Sequence, residues 1–154
     1  MSKSLARVVA AMQAGGVTGA PLEMPSETRT AAQAAEAAGC ALDQIVKSII
    51  FSGKRGLYLF LTAGGNVVDT DRASALVGEP LGRADANQVR AVTGFAIGGV
   101  SPLGHLTPLP LWMDPTLLAY ATVWAAAGTP RHIFAIPPVQ LQQITGAVVA
   151  EFTA

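Results

Sequence analysis

The sequence has a single cysteine and few charged residues, and each shortage excludes a class of protein. Cys40 has no second cysteine with which to form an internal disulfide, which is compatible with a reducing compartment. Charged residues make up only 13% of the chain, and ten acidic residues balance ten basic ones. Because sequence-specific duplex binding relies on a basic surface, we expect no DNA partner. A hydrophobic fraction of 51% excludes a disordered chain.

The chain also lacks an uninterrupted apolar run of membrane-spanning length. Its longest uncharged stretch, residues 91–113, is long enough to span a bilayer, but repeated glycine and proline break it into loops and short strands. The apolar residues 8–12 are too few for the core of a signal peptide. We therefore expect a cytoplasmic protein with no membrane partner. A length of 154 residues is typical of one domain, here spanning 1–154.

Helix and strand signals alternate along the chain. Apolar spacing, capping residues and terminal glycines predict helices at residues 5–12, 31–38, 71–77, 86–93 and 138–144. β-Branched and apolar runs predict a hairpin of residues 45–51 and 57–62, and further strands near 111–113, 120–126, 133–136 and 148–152. The predicted fold class is α/β (α+β), with one mixed, largely antiparallel, barrel-like sheet surrounded by helices.

Common catalytic and cofactor motifs are absent. A phosphate-binding loop would need a glycine where Ser48 stands, and no dinucleotide-binding glycine motif occurs. The two histidines and the cysteine lack metal-ligand spacing, so we expect no metal and no cofactor. Ser101 superficially resembles the serine of a nucleophile elbow. However, Pro102 follows it and has no N–H for an oxyanion, so Ser101 is a poor nucleophile.

Lys47 is one of three lysines and stands within an apolar strand. In a strand it shares a face with Ile45, Ile49 and Phe51, where an ammonium is costly unless it meets an anion or reaches water. Two interpretations remain open. Lys47 either extends to water or pairs with an acid such as Asp69, or it presents a cation to a phosphate or a polarised carbonyl in a pocket.

Residues 94–104 contain four glycines and a proline among apolar residues. Such a loop can bring main-chain N–H groups close to a ligand, because glycine has no side chain to obstruct the approach. The alternative is a turn between two buried strands.

These two features together identify a family. The segments Gln44-Ile-Val-Lys-Ser-Ile-Ile-Phe51 and Gly94-Phe-Ala-Ile-Gly-Gly-Val-Ser-Pro-Leu-Gly-His105 resemble the YbaK/ProX family. Its members are free-standing aminoacyl-tRNA editing domains related to the editing insertion of bacterial prolyl-tRNA synthetase. Thr30-Ala-Ala-Gln-Ala-Ala and Ala126-Ala-Gly128 match in order, so the resemblance covers about the whole chain. The Lys-Ser pair is closer to the YbaK branch than to the alanine-specific ProX branch, in which asparagine typically follows the lysine.

The resemblance implies hydrolysis of the ester that joins a wrong amino acid to the 3′-terminal adenosine of tRNA, most often tRNA for proline, without a metal. By resemblance, Lys47 would contact the terminal phosphate or carbonyl region, and the loop from Gly98 to Pro102 would cradle the aminoacyl end. The implied catalytic residues are Lys47, Gly98 and Ser101. The implied substrate-binding residues are Thr30, Gly99, Val100, Pro102 and His132.

Some of these residues allow a second interpretation. His132 lies in a region from which relatives contribute an active-site side chain, but it could instead be a strand-end histidine in water. The YbaK branch often has an aspartate nearby, where this chain has Ile133 or Phe134. Ser101 could bind substrate or satisfy its own backbone. Structural roles are expected for His105, Trp112 and Trp124.

A neutral chain is an unusual partner for tRNA. A local basic patch could form from Arg29, Arg72, Arg131 and the Lys54-Arg55 turn. Contact with the acceptor end alone would give weak binding, and a synthetase partner could supply the missing affinity. Two other classes remain open: a non-catalytic module that binds a nucleotide or aminoacyl ligand, and a structural or regulatory domain. The sequence does not indicate an oligomeric state.

Overall fold

The computed structural model describes residues 1–28 and 30–154. The α-helices in this part of the chain are α1 (Lys3–Ala14), α2 (Ala31–Ala38), α3 (Thr70–Val77), α4 (Ala86–Thr93) and α5 (Pro138–Thr145). The strands are β1 (Leu22–Glu23), β2 (Ile45–Gly53), β3 (Gly56–Ala63), β4 (Gly82–Arg83), β5 (Leu111–Met113), β6 (Val123–Ala126), β7 (His132–Ile136) and β8 (Val148–Val149). Two short 3-10 helices lie at Leu42–Gln44 and Pro115–Ala119.

All of these strands belong to one mixed sheet. Its order is β1-β7-β6-β2-β3-β5-β8, and β4 also pairs with β2. The pairs β1–β7, β2–β3, β2–β4 and β6–β7 are antiparallel, whereas β2–β6, β3–β5 and β5–β8 are parallel. The longest pairing is the β2–β3 hairpin. The predicted α/β class and its mixed, largely antiparallel sheet are confirmed.

Local capping sets the ends of α2. The Thr30 hydroxyl accepts from the Gln33 N–H at 3.1 Å, and the Gln33 side chain accepts from the Thr30 N–H at 3.2 Å. Gly39 ends the helix with a φ of 68°, a left-handed conformation that glycine adopts without steric cost. Both ends agree with the sequence prediction, because the capping signals lie directly at the two ends of the helix.

Two predicted strands are shorter in the structure. The strand expected at 120–126 begins at Val123, because the preceding 3-10 helix continues to Ala119 and Tyr120 closes it. The strand expected at 148–152 is paired only at Val148–Val149. Beyond it, Phe152 is fully buried and Thr153 forms an isolated bridge to Val68.

Apolar clusters cover both faces of the sheet. The larger cluster joins α1, α4 and α5 to the sheet and includes Leu59, whereas the next residue, Phe60, belongs to a second cluster. Successive strand residues point to opposite faces, so both faces of β3 are covered. The Phe60 ring stacks on Trp112 with centroids 5.1 Å apart, which confirms the structural role expected for Trp112. Within the described residues, no helix has both the length and the apolar character needed to cross a bilayer.

Candidate functional site

A cavity of about 480 Å³ opens beside β2, next to the short segment where β2 runs parallel to β6. Its size falls in the usual range of small-ligand sites. Most of the wall is apolar, and it is assembled from stretches that are far apart in the sequence. These stretches lie within residues 28–34, 45–50, 83–89, 97–100 and 124–133.

Lys47 lines this cavity from near the start of β2. Its Nζ donates a hydrogen bond to the main-chain carbonyl of Asn66, and the pairing with Asp69 offered as an alternative is wrong. Asp69 instead caps α3. Burial lowers the pKa of Lys47, while the carboxylates of Asp43 and Asp114 act in the opposite direction. An ammonium has three donors, so two remain for a ligand when one is held by Asn66.

The carbonyl that holds Lys47 is itself fixed by a hydrogen-bond network. Asn66 Nδ2 donates to Asp114 Oδ2 at 2.8 Å and to Thr116 Oγ1 at 3.1 Å. Asp114 is 1% exposed and also accepts from the N–H groups of Ala63 and Thr116. Burial raises the pKa of Asp114, but these hydrogen bonds outweigh it and the pKa is lowered overall. Asn66 and Asp114 were not among the predicted residues, since nothing in their local sequence points to β2.

The glycine loop contributes Gly98 and Val100 to the wall. Gly98 has a φ of +96°, and a Cβ added there would meet no atom within 4 Å. Gly99 is buried on the other side of the chain, where an added Cβ would lie 3.0 Å from the main chain of Thr129. Gly98 therefore borders open cavity space, whereas Gly99 lets the loop approach the segment before β7.

The structure does not bring every predicted residue to the cavity. Ser101 and Pro102 are buried, and neither is among the described residues that line it. Ser101 Oγ accepts from the Leu103 N–H at 3.1 Å, so this hydroxyl satisfies the local backbone, the alternative considered for it. His105 Nε2 contacts the Ser101 carbonyl at 2.5 Å, and its ring lies edge-on to Phe95. This arrangement agrees with a structural role for His105.

Helix α1 fastens both ends of the glycine loop. Arg7 Nη2 donates to the Gly94 carbonyl at 2.7 Å, and Arg7 Nε donates to the Gly104 carbonyl at 3.2 Å. The guanidinium also lies 4.9 Å from the ring centroid of Phe95, within range of a cation–π interaction. The Arg7 side chain thus connects the two ends of the loop that borders the cavity.

The cavity is also lined by Thr30, His132 and Trp124. Thr30 lies there as the residue that caps α2. His132 begins β7, and its Nδ1 is 2.6 Å from Thr129 Oγ1. It also borders a second, smaller cavity of about 330 Å³ beside α1. Trp124 packs against the buried cluster that contains Ile45, in agreement with the structural role expected for it, and it also lines the cavity because β6 pairs in parallel with Ile45. That pairing joins distant parts of the chain and has no local signal.

The predicted basic patch is not assembled at this cavity. Arg55 Nε lies 3.1 Å from Glu79 and Arg72 Nε lies 3.8 Å from Asp69, and neither arginine lines the cavity. Arg29 lies outside the described residues. Arg83, which was not predicted, does line the cavity. Among the described residues, no group of three or more His, Cys, Asp or Glu side chains is placed to hold a metal.

Residues 25–144 match the model of the aminoacyl-tRNA editing domain. This chain belongs to that family. The matched region contains Lys47, the glycine loop and His132, so the candidate site lies within the editing domain. The resemblance inferred from the sequence is confirmed.

Solved structures and a curated relative extend the comparison. One similar solved structure is the crystal structure of a candidate trans-editing enzyme for prolyl-tRNA synthetase. It is 48% identical to this chain with a TM-score of 0.94, and the match covers 100% of this chain and 99% of that one. With the hypothetical protein APE2540 it shares 32% identity and a TM-score of 0.88, covering 96% and 99%. The uncharacterised protein YwhH of Bacillus subtilis is 28% identical over 124 residues, which is 80% of this chain and 79% of the relative.

Proposed function

We propose that this editing domain hydrolyses misacylated tRNA. The substrate is the ester of a small amino acid, such as cysteine, alanine or serine, on tRNA for proline or a related tRNA. The observation that carries this proposal is the placement of the Lys47 ammonium and the Gly98 main chain around one cavity in a chain of the editing family. The cavity is larger than a small amino acid, which leaves room for part of the terminal adenosine.

In the proposed reaction, water adds to the ester carbonyl carbon, and the bond from that carbon to the ribose oxygen breaks. The ribose oxygen takes a proton, and free amino acid and uncharged tRNA result. Negative charge develops on the carbonyl oxygen as water adds. The Lys47 ammonium, held by Asn66, is a preorganised donor for that oxygen or for the terminal phosphate, and positioned charges of this kind are effective in a partly buried site.

The other residues have positioning roles in this proposal. Gly98 and Val100 cradle the aminoacyl end, and Thr30 and His132 border it. The loop that carries Gly98 also contains Gly99, Ser101 and Pro102. These three residues are buried and support the position of Gly98 without lining the cavity themselves. The substrate's own hydroxyl or side chain assists the attack of water. No cofactor takes part in the proposed reaction.

The proposed partner is the acceptor end of aminoacyl-tRNA in the cytoplasm, reached alone or together with an aminoacyl-tRNA synthetase. One observation favours a second candidate, a non-catalytic module for a nucleotide or aminoacyl ligand. Ser101, one of the implied catalytic residues, is buried with its Oγ engaged by the Leu103 N–H, so it presents no side chain to the cavity.

A deacylation screen separates the two functions. Cysteinyl-, alanyl- and seryl-tRNA for proline are incubated with the protein, with and without prolyl-tRNA synthetase, and correctly charged prolyl-tRNA is the control. Faster loss of at least one mischarged ester than of the prolyl ester supports editing. A rise in melting temperature with aminoacyl-adenosine analogues, without turnover of any mischarged tRNA, supports the binding module.

A further inference from the structure

Thr129 lies beside His132 in the cavity wall and contacts its ring. Thr129 Oγ1 is 2.6 Å from His132 Nδ1. The same oxygen accepts a hydrogen bond from the main-chain N–H of Arg131 at 3.1 Å. Both Thr129 and His132 line the cavity, so this contact is part of the candidate site.

The hydroxyl carries only one hydrogen, and this decides the direction of the contact. The Arg131 N–H already donates to Oγ1, which leaves the hydroxyl hydrogen for His132 Nδ1. If Nδ1 carried the hydrogen instead, Oγ1 would accept twice, and its own hydrogen would have no acceptor among the described residues. The balance of donors and acceptors therefore makes Nδ1 the acceptor, and a neutral imidazole then carries its hydrogen on Nε2.

We propose that Thr129 is a positioning residue that holds His132 in the tautomer with hydrogen on Nε2. Nδ1 is taken by Thr129, and Nε2 has no partner in the described part of the chain, so Nε2 is the ring nitrogen left for a ligand. His132 then offers the cavity a hydrogen-bond donor. The other tautomer would offer a lone pair. The group it recognises is an acceptor oxygen, and this step rests on the proposed function, in which the oxygen belongs to the aminoacyl ester.

The main chain of Thr129 also faces the glycine loop. A Cβ added at Gly99 would lie 3.0 Å from both Cα and C of Thr129, so the two segments pack without a side chain between them. The residue that orients the His132 ring therefore also contacts the loop that carries Gly98. This packing fixes the relative position of two walls of the cavity.

The tautomer can be read directly by nitrogen NMR of the imidazole side chains at about pH 9, where histidine rings are neutral. The chain has only two histidines, and His105 is an internal control that Thr129 does not touch. We expect a pyridine-type Nδ1 and a pyrrole-type Nε2 for His132 in the wild type and in Thr129→Ser, which keeps the hydroxyl. In Thr129→Val, which removes it, we expect a mixture of tautomers. Hydrogen on Nδ1 in the wild type, or an unchanged spectrum in Thr129→Val, would overturn the proposal.

Kinetics supply the second readout. Thr129→Val should lower kcat for the preferred mischarged tRNA about tenfold, the effect of one misplaced hydrogen bond, with a smaller change in KM. Thr129→Ser should stay within about twofold of the wild type. In a His132→Ala background, Thr129→Val should cause little further loss, because its effect passes through the ring. A full tenfold loss in that background would show that Thr129 acts independently of His132 and would contradict the proposal.

The two readouts separate this inference from the proposed function. If the wild type deacylates none of the substrates, editing fails, and the NMR comparison still decides whether Thr129 sets the tautomer. If deacylation is normal and Thr129→Val changes neither spectrum nor kcat, the inference fails and editing stands. Melting temperatures of both variants show whether the fold is retained.

Discussion

The Lys47 ammonium donates to the main-chain carbonyl of Asn66, whose own side chain is bound to the buried Asp114. A cation in an apolar strand is thus tied to a carbonyl from another part of the chain. The ammonium is held at the cavity wall by a neutral acceptor, with the two nearby carboxylates favouring its charge. Because no carboxylate forms an ion pair with it in the described residues, the charge remains available to an anionic or polarised ligand.

Lys47→Ala should therefore abolish or greatly slow deacylation while leaving the fold intact. Removing a preorganised charge near developing negative charge typically costs about a hundredfold or more in rate. The measurement is single-turnover hydrolysis of the mischarged tRNA selected by the screen, with melting temperature followed in parallel. Lys54→Ala is the matched control, because Lys54 is exposed in the β2–β3 turn, away from the cavity. Wild-type turnover by the Lys47 variant would remove Lys47 from the mechanism, and a parallel loss of stability would make its role structural.

Gly98→Val should lose deacylation more than it loses stability. The added side chain would project from the cavity wall, and a φ of +96° adds a strain of about 1–3 kcal/mol for a residue with a Cβ. Strain lowers the melting temperature, whereas steric exclusion of the substrate lowers activity in a folded protein. Gly98→Ala keeps the strain and adds less bulk, so it should retain more activity than the valine variant.

Gly146→Val is the matched control for this strain. Gly146 ends α5 with a φ of 67°, and a Cβ there would also meet no atom within 4 Å, but the residue is not part of the cavity. It should lose stability comparably and keep its deacylation rate at temperatures where it is folded. Equal deacylation by Gly98→Val and the wild type would show that the loop does not border the substrate.

Binding of tRNA should depend only weakly on salt. The formal net charge is zero, and several arginines are already engaged within the protein, Arg7 by carbonyls of the glycine loop and Arg55 by Glu79. Each neutralised phosphate adds about 0.7–0.9 to the slope of log affinity against log salt. Titrations with tRNA over a range of potassium chloride concentrations give this slope. A slope steeper than about 5 would contradict contact with the acceptor end alone.

Glu79 should stabilise the β2–β3 turn in a pH-dependent way. Hydrogen bonds to its carboxylate lower the pKa of Glu79 from 4.5 to about 2. The largest effect comes from the Tyr58 hydroxyl, and Arg55 and the Lys54 N–H add to it. A lowered carboxyl pKa stabilises the fold above the unfolded value, and the contribution is lost as pH falls from 4.5 towards 2. Glu79→Gln should therefore lower the melting temperature at neutral pH, and the difference should narrow in that acidic range. A melting-temperature difference that stays constant with pH would contradict a role for the Glu79 charge. The deacylation rate of Glu79→Gln should equal that of the wild type.

The parts of the fold that sequence predicted are those with local signals. Thr30 and Gly39 delimit α2 because capping depends on residues within one turn of each helix end. Lys47 was found because a cation interrupts an apolar strand. The place of Trp124 in the cavity wall was missed because it depends on a parallel strand pair, and the contact of Asn66 with Lys47 was missed because it spans 19 residues. Ser101 was placed by motif likeness, and its burial against Leu103 depends on the loop geometry.

The attachment of the glycine loop to α1 bears on how this editing domain can be shortened. The family match begins at residue 25, whereas Arg7, which holds the carbonyls of Gly94 and Gly104, lies before it. A truncation designed on the family boundary would remove this anchor together with Leu5, Val8 and Met12, which are buried in the main core. A shortened version that keeps this anchor and these core residues therefore includes an N-terminal helix that the family model does not cover.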